Sequence, residues 1–226
     1  MDTMPANGPA TPVTLYGFWR SLATFRVRAA LNLKGVRYEE RMVDLLQGEQ
    51  LREPFHRINP QHVLPVLEHG ALRLTQSLPI IEYIDETWTH DPLLPADAAG
   101  KARVRALAHI TASDAHPLVV PRVRNFLGGE FGIDEAGRTR WARHWMDQGS
   151  AAIEAALASG PAGRFAHGDS VTIADLALVS HVIGARLFAA DLSHAPRLEA
   201  LADRCLALDD FARSHPLKQP GAPQSA

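Results

Sequence analysis

The alternation of strand and helix signals changes character once along this chain, and that change constrains the fold more than any other feature. Between Val13 and Glu86, short β-branched and aromatic runs alternate with amphipathic stretches. From Lys101 to about Ala212 no strand pattern survives, and alanine- and leucine-rich helical segments take over. The two regimes are separated by H-D-P-L-L-P-A-D, where Pro92 and Pro95 mark a linker. At about 150 residues per domain, the length suits one or two domains. The expected boundaries are a flexible tail over 1–12, an α/β domain over 13–88, a linker over 89–100, an all-helical domain over 101–215 and a loose tail over 216–226.

Within the first regime the elements follow in order. Val13 to Phe18 is a strand candidate. A helix starts at Ser21, with Leu22, Phe25, Ala29 and Leu33 at helical spacing and Arg26 and Arg28 on other faces. Gly35 closes it. Tyr38 to Val43 reads as a second strand, followed by a short helix around Glu49 to Arg57. V-L-P-V-L-E-H-G-A-L-R-L then reads as a hairpin turning at His69-Gly70. Pro65 inside its first strand is awkward, since proline donates nothing to a ladder. A helix opens at Gln76-Ser77, with Ser77 as N-cap and Pro79 in the first turn, and runs to Glu86. The order is β-α-β-α-β-β-α, one compact α/β unit. In the helical region, Thr172 and Asp175 of T-I-A-D have the spacing of a capping box, with Val171 and Leu176 at the staple positions.

Composition excludes several functions. Hydrophobic residues make up 46% and the formal net charge is −2, which fits a globular core and argues against nucleic-acid or anionic-membrane partners. No apolar run approaches the ~20 residues of a membrane span. The opening M-D-T-M-P-A-N-G-P-A-T-P lacks the basic and apolar regions of a signal peptide. Cys205, the single cysteine, permits no internal disulfide and reads as a buried thiol, and the expected setting is a reducing cytoplasm. The eleven histidines show no metal-site spacing. His56, His62 and His69 fall in loop or turn contexts, while His109 and His116 could share a helix face.

Ser21 taken alone reads as a helix cap. Yet two helix N-termini, at Ser21 and at Gln76-Ser77, follow strands of the same small sheet, and free amides with the positive end of the dipole suit anions. One end can hold a carboxylate and the other a thiolate. Glutathione carries both groups.

The β-α-β-α-β-β-α unit with a proline in V-L-P-V-L, the Q-S opening the next helix and the later T-I-A-D together resemble the cytosolic glutathione transferases. F-W-R-S followed by R-V-R-A-A-L-N-L-K-G-V resembles the zeta class, which includes maleylacetoacetate and maleylpyruvate isomerases. The resemblance runs from about Leu15 to the S-H-P near the end. It implies a thioredoxin-like α/β domain followed by an all-α domain, glutathione as co-substrate without a metal, and a homodimer. It makes Pro65 a cis-proline, with the Leu64 backbone pairing with the cysteinyl unit of glutathione. Gln76 and Ser77 would hold the γ-glutamyl group. Ser21 would be the catalytic serine, donating to the glutathione sulfur, with Arg20 beside it.

The magnitudes permit this role. Lowering a thiol pKa of about 8.5 by two units takes roughly 2.7 kcal/mol. A hydrogen bond to a charged acceptor contributes about 1.5–3 kcal/mol, and a helix N-terminus up to about 1 kcal/mol more. One hydroxyl at one helix end is sufficient.

The chain also departs from the zeta pattern. Leu22 and Ala23 stand where Ser-Cys usually follows the serine. After His116-Pro117, Leu118, Val119, Val120 and Pro121 replace polar and basic residues. An arginine expected to meet a substrate carboxylate falls on Leu187, with Arg186 one position earlier, about 100° around a helix. The expected substrate pocket is therefore Leu22, Ala23, His116, Val119, Val120, Arg186 and Leu187, and Arg20 and Arg122 remain as cations. This apolar lining favours transfer of glutathione to a small apolar electrophile. The alternative is cis–trans isomerisation of maleylacetoacetate or maleylpyruvate, and a third reading is a non-catalytic binding protein that kept the fold.

Overall fold

The structure, a computed structural model, describes residues 11–161 and 163–223. They divide into two compact units, one holding the described residues up to Asp91 together with those from Arg213, the other Pro92–Ala212.

In the first unit, β1 (Val13–Gly17), α1 (Leu22–Leu33) and β2 (Glu39–Met42) form a crossover that leaves β1 and β2 parallel. A single helical turn (Glu49–Leu51) and α2 (Glu53–His56) lead to β3 (Val66–His69) and β4 (Leu72–Thr75), then α3 (Ser77–Thr87). The sheet order is β2-β1-β3-β4, with β3 antiparallel to both its neighbours. This is the expected β-α-β-α-β-β-α order of a thioredoxin-like domain.

Alternation along β1 separates two apolar layers. Tyr16 and Val66, opposite each other, join Phe18, Val43, Leu64 and Phe55 of α2 on one face. Leu15 and Leu67 point to the other, where α1 packs on α3 with Phe25, Leu31, Ile80, Ile81 and Ile84 fully buried. α1 ends as Gly35 suggests. With φ at 57°, Gly35 lets its amide reach the Asn32 carbonyl while the Val36 amide reaches Leu31, satisfying the last carbonyls of the helix.

Several details go beyond the sequence reading or differ from it. The hairpin turns on Gly70-Ala71 rather than His69-Gly70, with Gly70 at φ 61°. Pro65 lies ahead of β3, so the ladder needs no proline amide. Arg26 and Arg28, on other faces of α1 than its apolar residues, are buried as well. The residues from Pro216 are not wholly loose, since Pro216–Lys218 forms a turn of helix and Gln219 Nε2 donates to the Arg213 carbonyl at 2.7 Å.

Among the described residues, the regular elements of the second unit are all helices. α4 (Ala98–His109) begins inside the stretch expected as linker, with Asp97 accepting from the Gly100 amide. A wide π turn (Ile110–Ala115) leads to α5 (His116–Val119), α6 (Pro121–Phe131) and the long α7 (Glu135–Ala158). α8 (Ile173–Leu187), α9 (Pro196–Leu206) and α10 (Asp209–Ser214) follow, the last two residues of α10 belonging to the first unit. Every residue of α8 from Ile173 to Ala185 is buried, packed by α4, α7 and α9, so α8 is the core of this unit. Asp175 fixes its start, accepting from the Thr172 amide and hydroxyl and from the Ala166 amide, each at 2.8 Å. Among the described residues, no helix is long and apolar enough to cross a membrane.

Candidate active site

Ser21 stands where the chain leaves β1 and enters α1. The Phe18 carbonyl accepts the Ser21 amide at 3.0 Å, closing a tight turn through Trp19 and Arg20. The Ser21 side chain accepts from the Thr24 amide at 3.1 Å, so the serine caps α1. That bond uses an oxygen lone pair. The hydroxyl proton has no acceptor among the described residues, and capping leaves it available to a ligand. Leu22 and Ala23 form the buried first turn of α1, and Arg20 is half-buried in the preceding turn.

The Leu64–Pro65 peptide bond is cis. The approach to it is fixed by buried Asn59, whose Nδ2 donates to the Val63 carbonyl at 2.8 Å while Oδ1 accepts from the Gln61 amide at 3.0 Å. Neither backbone group of Leu64 is bonded to backbone among the described residues, which leaves an amide and a carbonyl for an extended ligand.

Gln76 is the N-cap of α3, at φ 69°, and Ser77 is the first helical residue rather than the cap. Gln76 Nε2 donates to Gln61 Oε1 at 3.1 Å, tying the start of α3 to the loop before Pro65. Ser77 Oγ accepts from Arg26 Nε at 3.0 Å. Arg26 is 2% exposed, and burial lowers its guanidinium to about 10, still charged at neutral pH. Arg26 therefore links the helix that starts at Ser21 to the one that starts at Ser77.

Arg26 and Arg28 are the residues the sequence reading missed. Their signal was the absence of any other polar stripe in L-A-T-F-R-V-R-A-A-L: a helix apolar all round is buried on all sides, arginines included.

In the second unit, His116 opens α5 half-buried, Val119 is 3% exposed and Val120 is the extended residue before α6. The π turn separates His116 from His109, which pairs with Ser113 Oγ at 2.7 Å. Arg186 is turned toward α9, meeting Asp203 at 2.8 Å and Glu199 at 3.8 Å. Leu187, next to it, is exposed. Arg122 is exposed and makes no ion pair among the described residues. Burial pushes the Cys205 thiol up, in keeping with an inert core residue. Among the described residues no three His, Cys, Asp or Glu side chains gather to hold a metal.

A thioredoxin-like unit with a serine capping its first helix, a cis-proline before its third strand and a Gln-Ser start to its third helix, followed by a helical unit, defines the architecture of the glutathione transferases. Residues 11–86 match the model for the N-terminal domain of glutathione S-transferase. A maleylpyruvate isomerase from Ralstonia sp is 45% identical over 207 residues, covering 91% of this chain and 98% of the relative. The solved holo structure of a maleylpyruvate isomerase, a bacterial zeta-class enzyme, superimposes with a TM-score of 0.91 at 44% identity, over 93% of this chain and all of that one (100%). A maleylacetoacetate isomerase from Methylobacterium extorquens AM1, solved with malonate and glutathione bound, gives 0.91 at 45% identity over 93% of this chain and 100% of that chain. The chain belongs to the zeta class of the glutathione transferase family.

Proposed function

We propose that this protein is a glutathione-dependent cis–trans isomerase of a maleyl-type diacid, maleylpyruvate or maleylacetoacetate. The observation that carries the reading is likeness over nearly the whole length, at 44–45% identity, to isomerases of both substrates, one of them solved with malonate and glutathione bound. The residues of this chain fit the tripeptide. Ser21 has an unspent hydroxyl proton, Leu64 an unpaired amide and carbonyl, and α3 free N-terminal amides beside Ser77.

Bound there, glutathione supplies a thiol whose reversible addition to the maleyl double bond allows rotation from cis to trans. The Ser21 hydroxyl donates toward the sulfur and favours its ionised form. The N-terminus of α3 and the Ser77 hydroxyl hold the γ-glutamyl carboxylate. Leu64 anchors the cysteinyl unit through its backbone. Arg20, in the turn immediately before Ser21, is the cation we assign to the substrate's far carboxylate.

Apolar Leu22, Ala23, Val119, Val120 and Leu187 favoured conjugation of apolar electrophiles in the sequence reading; the relatives weigh more toward the diacid. A homodimer in the cytoplasm belongs to the same proposal, and light scattering checks the former. The deciding measurement is kcat/KM for maleylpyruvate and maleylacetoacetate isomerisation against conjugation of a chlorodinitrobenzene, on one enzyme preparation. The diacids are expected to win by about tenfold or more, or about 1.4 kcal/mol in transition-state binding. An advantage for the aromatic electrophile would return the assignment to general transfer.

A further inference from the structure

We propose that Arg28 is a positioning residue that sets the Ser21 hydroxyl against the glutathione sulfur by holding the Phe18 carbonyl; this rests on the glutathione reading above. The Phe18 carbonyl takes two donors, the Ser21 amide at 3.0 Å and Arg28 Nη2 at 3.0 Å. The first bond closes the turn that presents Ser21. The second fixes where that turn sits, because the guanidinium is itself pinned by Glu40, with Nε to Oε2 at 2.8 Å and Nη2 to Oε1 at 2.6 Å. Arg28 is 1% exposed and comes from α1, while Glu40 comes from β2, opposite Leu15 in the parallel register. A rigid fork can hold a carboxylate and a carbonyl together; a lysine ammonium has no such planar geometry.

Gly17 makes the link possible. A Cβ there would fall 2.4 Å from Glu40 Oε1 and 2.6 Å from Thr24 Cγ2, so the carboxylate crosses β1 only because position 17 carries no side chain. Thr24 is also the residue whose amide Ser21 caps. Carboxylate, fork, turn carbonyl and serine therefore form one connected chain.

Stability alone gives a poor reason for this arrangement. Buried ion pairs are often matched in stability by well-packed apolar residues. Arg28 Nη1 moreover is buried with no hydrogen-bond partner among the described residues. What an apolar replacement does not supply is a fixed donor to the Phe18 carbonyl.

The test compares wild type, Arg28→Lys, Glu40→Gln and Ser21→Ala. It reads the pKa of bound glutathione by thiolate ultraviolet absorbance, and kcat and KM for isomerisation. Circular dichroism checks that each variant is folded. Arg28→Lys is expected to raise the bound-thiol pKa toward its free value and lower kcat about tenfold, with KM for glutathione changed less than about threefold. The isosteric Glu40→Gln, on a partly exposed side chain, is expected to shift both in the same direction by less, and carries the test if the lysine variant does not fold. A wild-type thiol pKa and kcat in folded Arg28→Lys, or in Glu40→Gln where it alone folds, overturns the proposal. An unshifted thiol in Ser21→Ala would instead overturn the role of Ser21 itself, so the two failures are distinguishable.

Discussion

Arg26 Nε donates to Ser77 Oγ across 3.0 Å, both groups buried, so the hydroxyl that starts α3 is held from behind by a charge rooted in α1. Because Ser77 accepts that bond, its own proton is directed away from Arg26 and stays available to a ligand at the N-terminus of α3. If a γ-glutamyl carboxylate sits there, the pair works as one unit. Ser77→Ala should raise KM for glutathione about tenfold, as should Arg26→Met, while the bound-thiol pKa moves little. The double variant should cost hardly more than either single one, because each removes the same interaction. Additive losses in this cycle would mean that Arg26 acts on something other than Ser77.

Ser21→Ala separates capping from chemistry. The Thr24 amide loses its acceptor, a lost cap that costs about 1 kcal/mol of stability. Turnover should fall about tenfold or more, the worth of one hydrogen bond to a charged sulfur. Thermal unfolding and isomerase rate on the same samples check the two halves. A small stability loss with unchanged turnover would reduce Ser21 to its cap.

The order of elements was legible in the sequence because period and composition both change at the boundary, and because strands and helices here carry strong local signals. Pro65 was legible as an anomaly, and the resemblance gave its cis form. What stayed hidden depends on segments far apart in the chain. Arg26 is buried because Ser77 lies against it, and Arg28 because Glu40 and the Phe18 carbonyl do; nothing local to α1 names those partners. The cap of α3 was misjudged by one residue because Gln76 adopts a left-handed backbone that its side chain does not advertise. Arg186 stands one helical position from where the zeta pattern expects its arginine, and its partner on α9, Asp203, is equally invisible in the local sequence.

His181 predicts an acid limit to stability. It is buried in α8, with Nε2 3.0 Å from Ser150 Oγ and 3.2 Å from the Met146 carbonyl, and Gly149 leaves it room. Burial lowers it from 6.5 to about 4, with the Met146 carbonyl opposing in part. The folded state thus favours the neutral ring. Its contribution is fully present above pH 6.5, the unfolded value, and is lost as pH falls toward about 4. The loss amounts to about 3 kcal/mol. His181→Gln should flatten the fall in unfolding temperature across that window, whatever its effect at neutral pH. A slope identical to wild type would mean that another group sets the acid limit.

Two arginines give the last prediction. Arg186 is spent on Asp203 at 2.8 Å and Glu199 at 3.8 Å, a partly exposed network of a kind worth about 0–1 kcal/mol. Arg20 sits in the turn immediately before Ser21 and makes no ion pair among the described residues. A substrate carboxylate left without a cation costs several kcal/mol in a desolvated site. Arg20→Gln should therefore lower kcat/KM for maleylpyruvate about tenfold or more, and leave conjugation of an uncharged electrophile within about threefold. Arg186→Gln should leave both rates within about twofold and shift stability by less than about 1 kcal/mol. The comparison is made on three proteins under one set of conditions. Equal losses of diacid turnover in Arg20→Gln and Arg186→Gln would mean that Arg20 holds no special place among the arginines, and its assignment to the far carboxylate would fall.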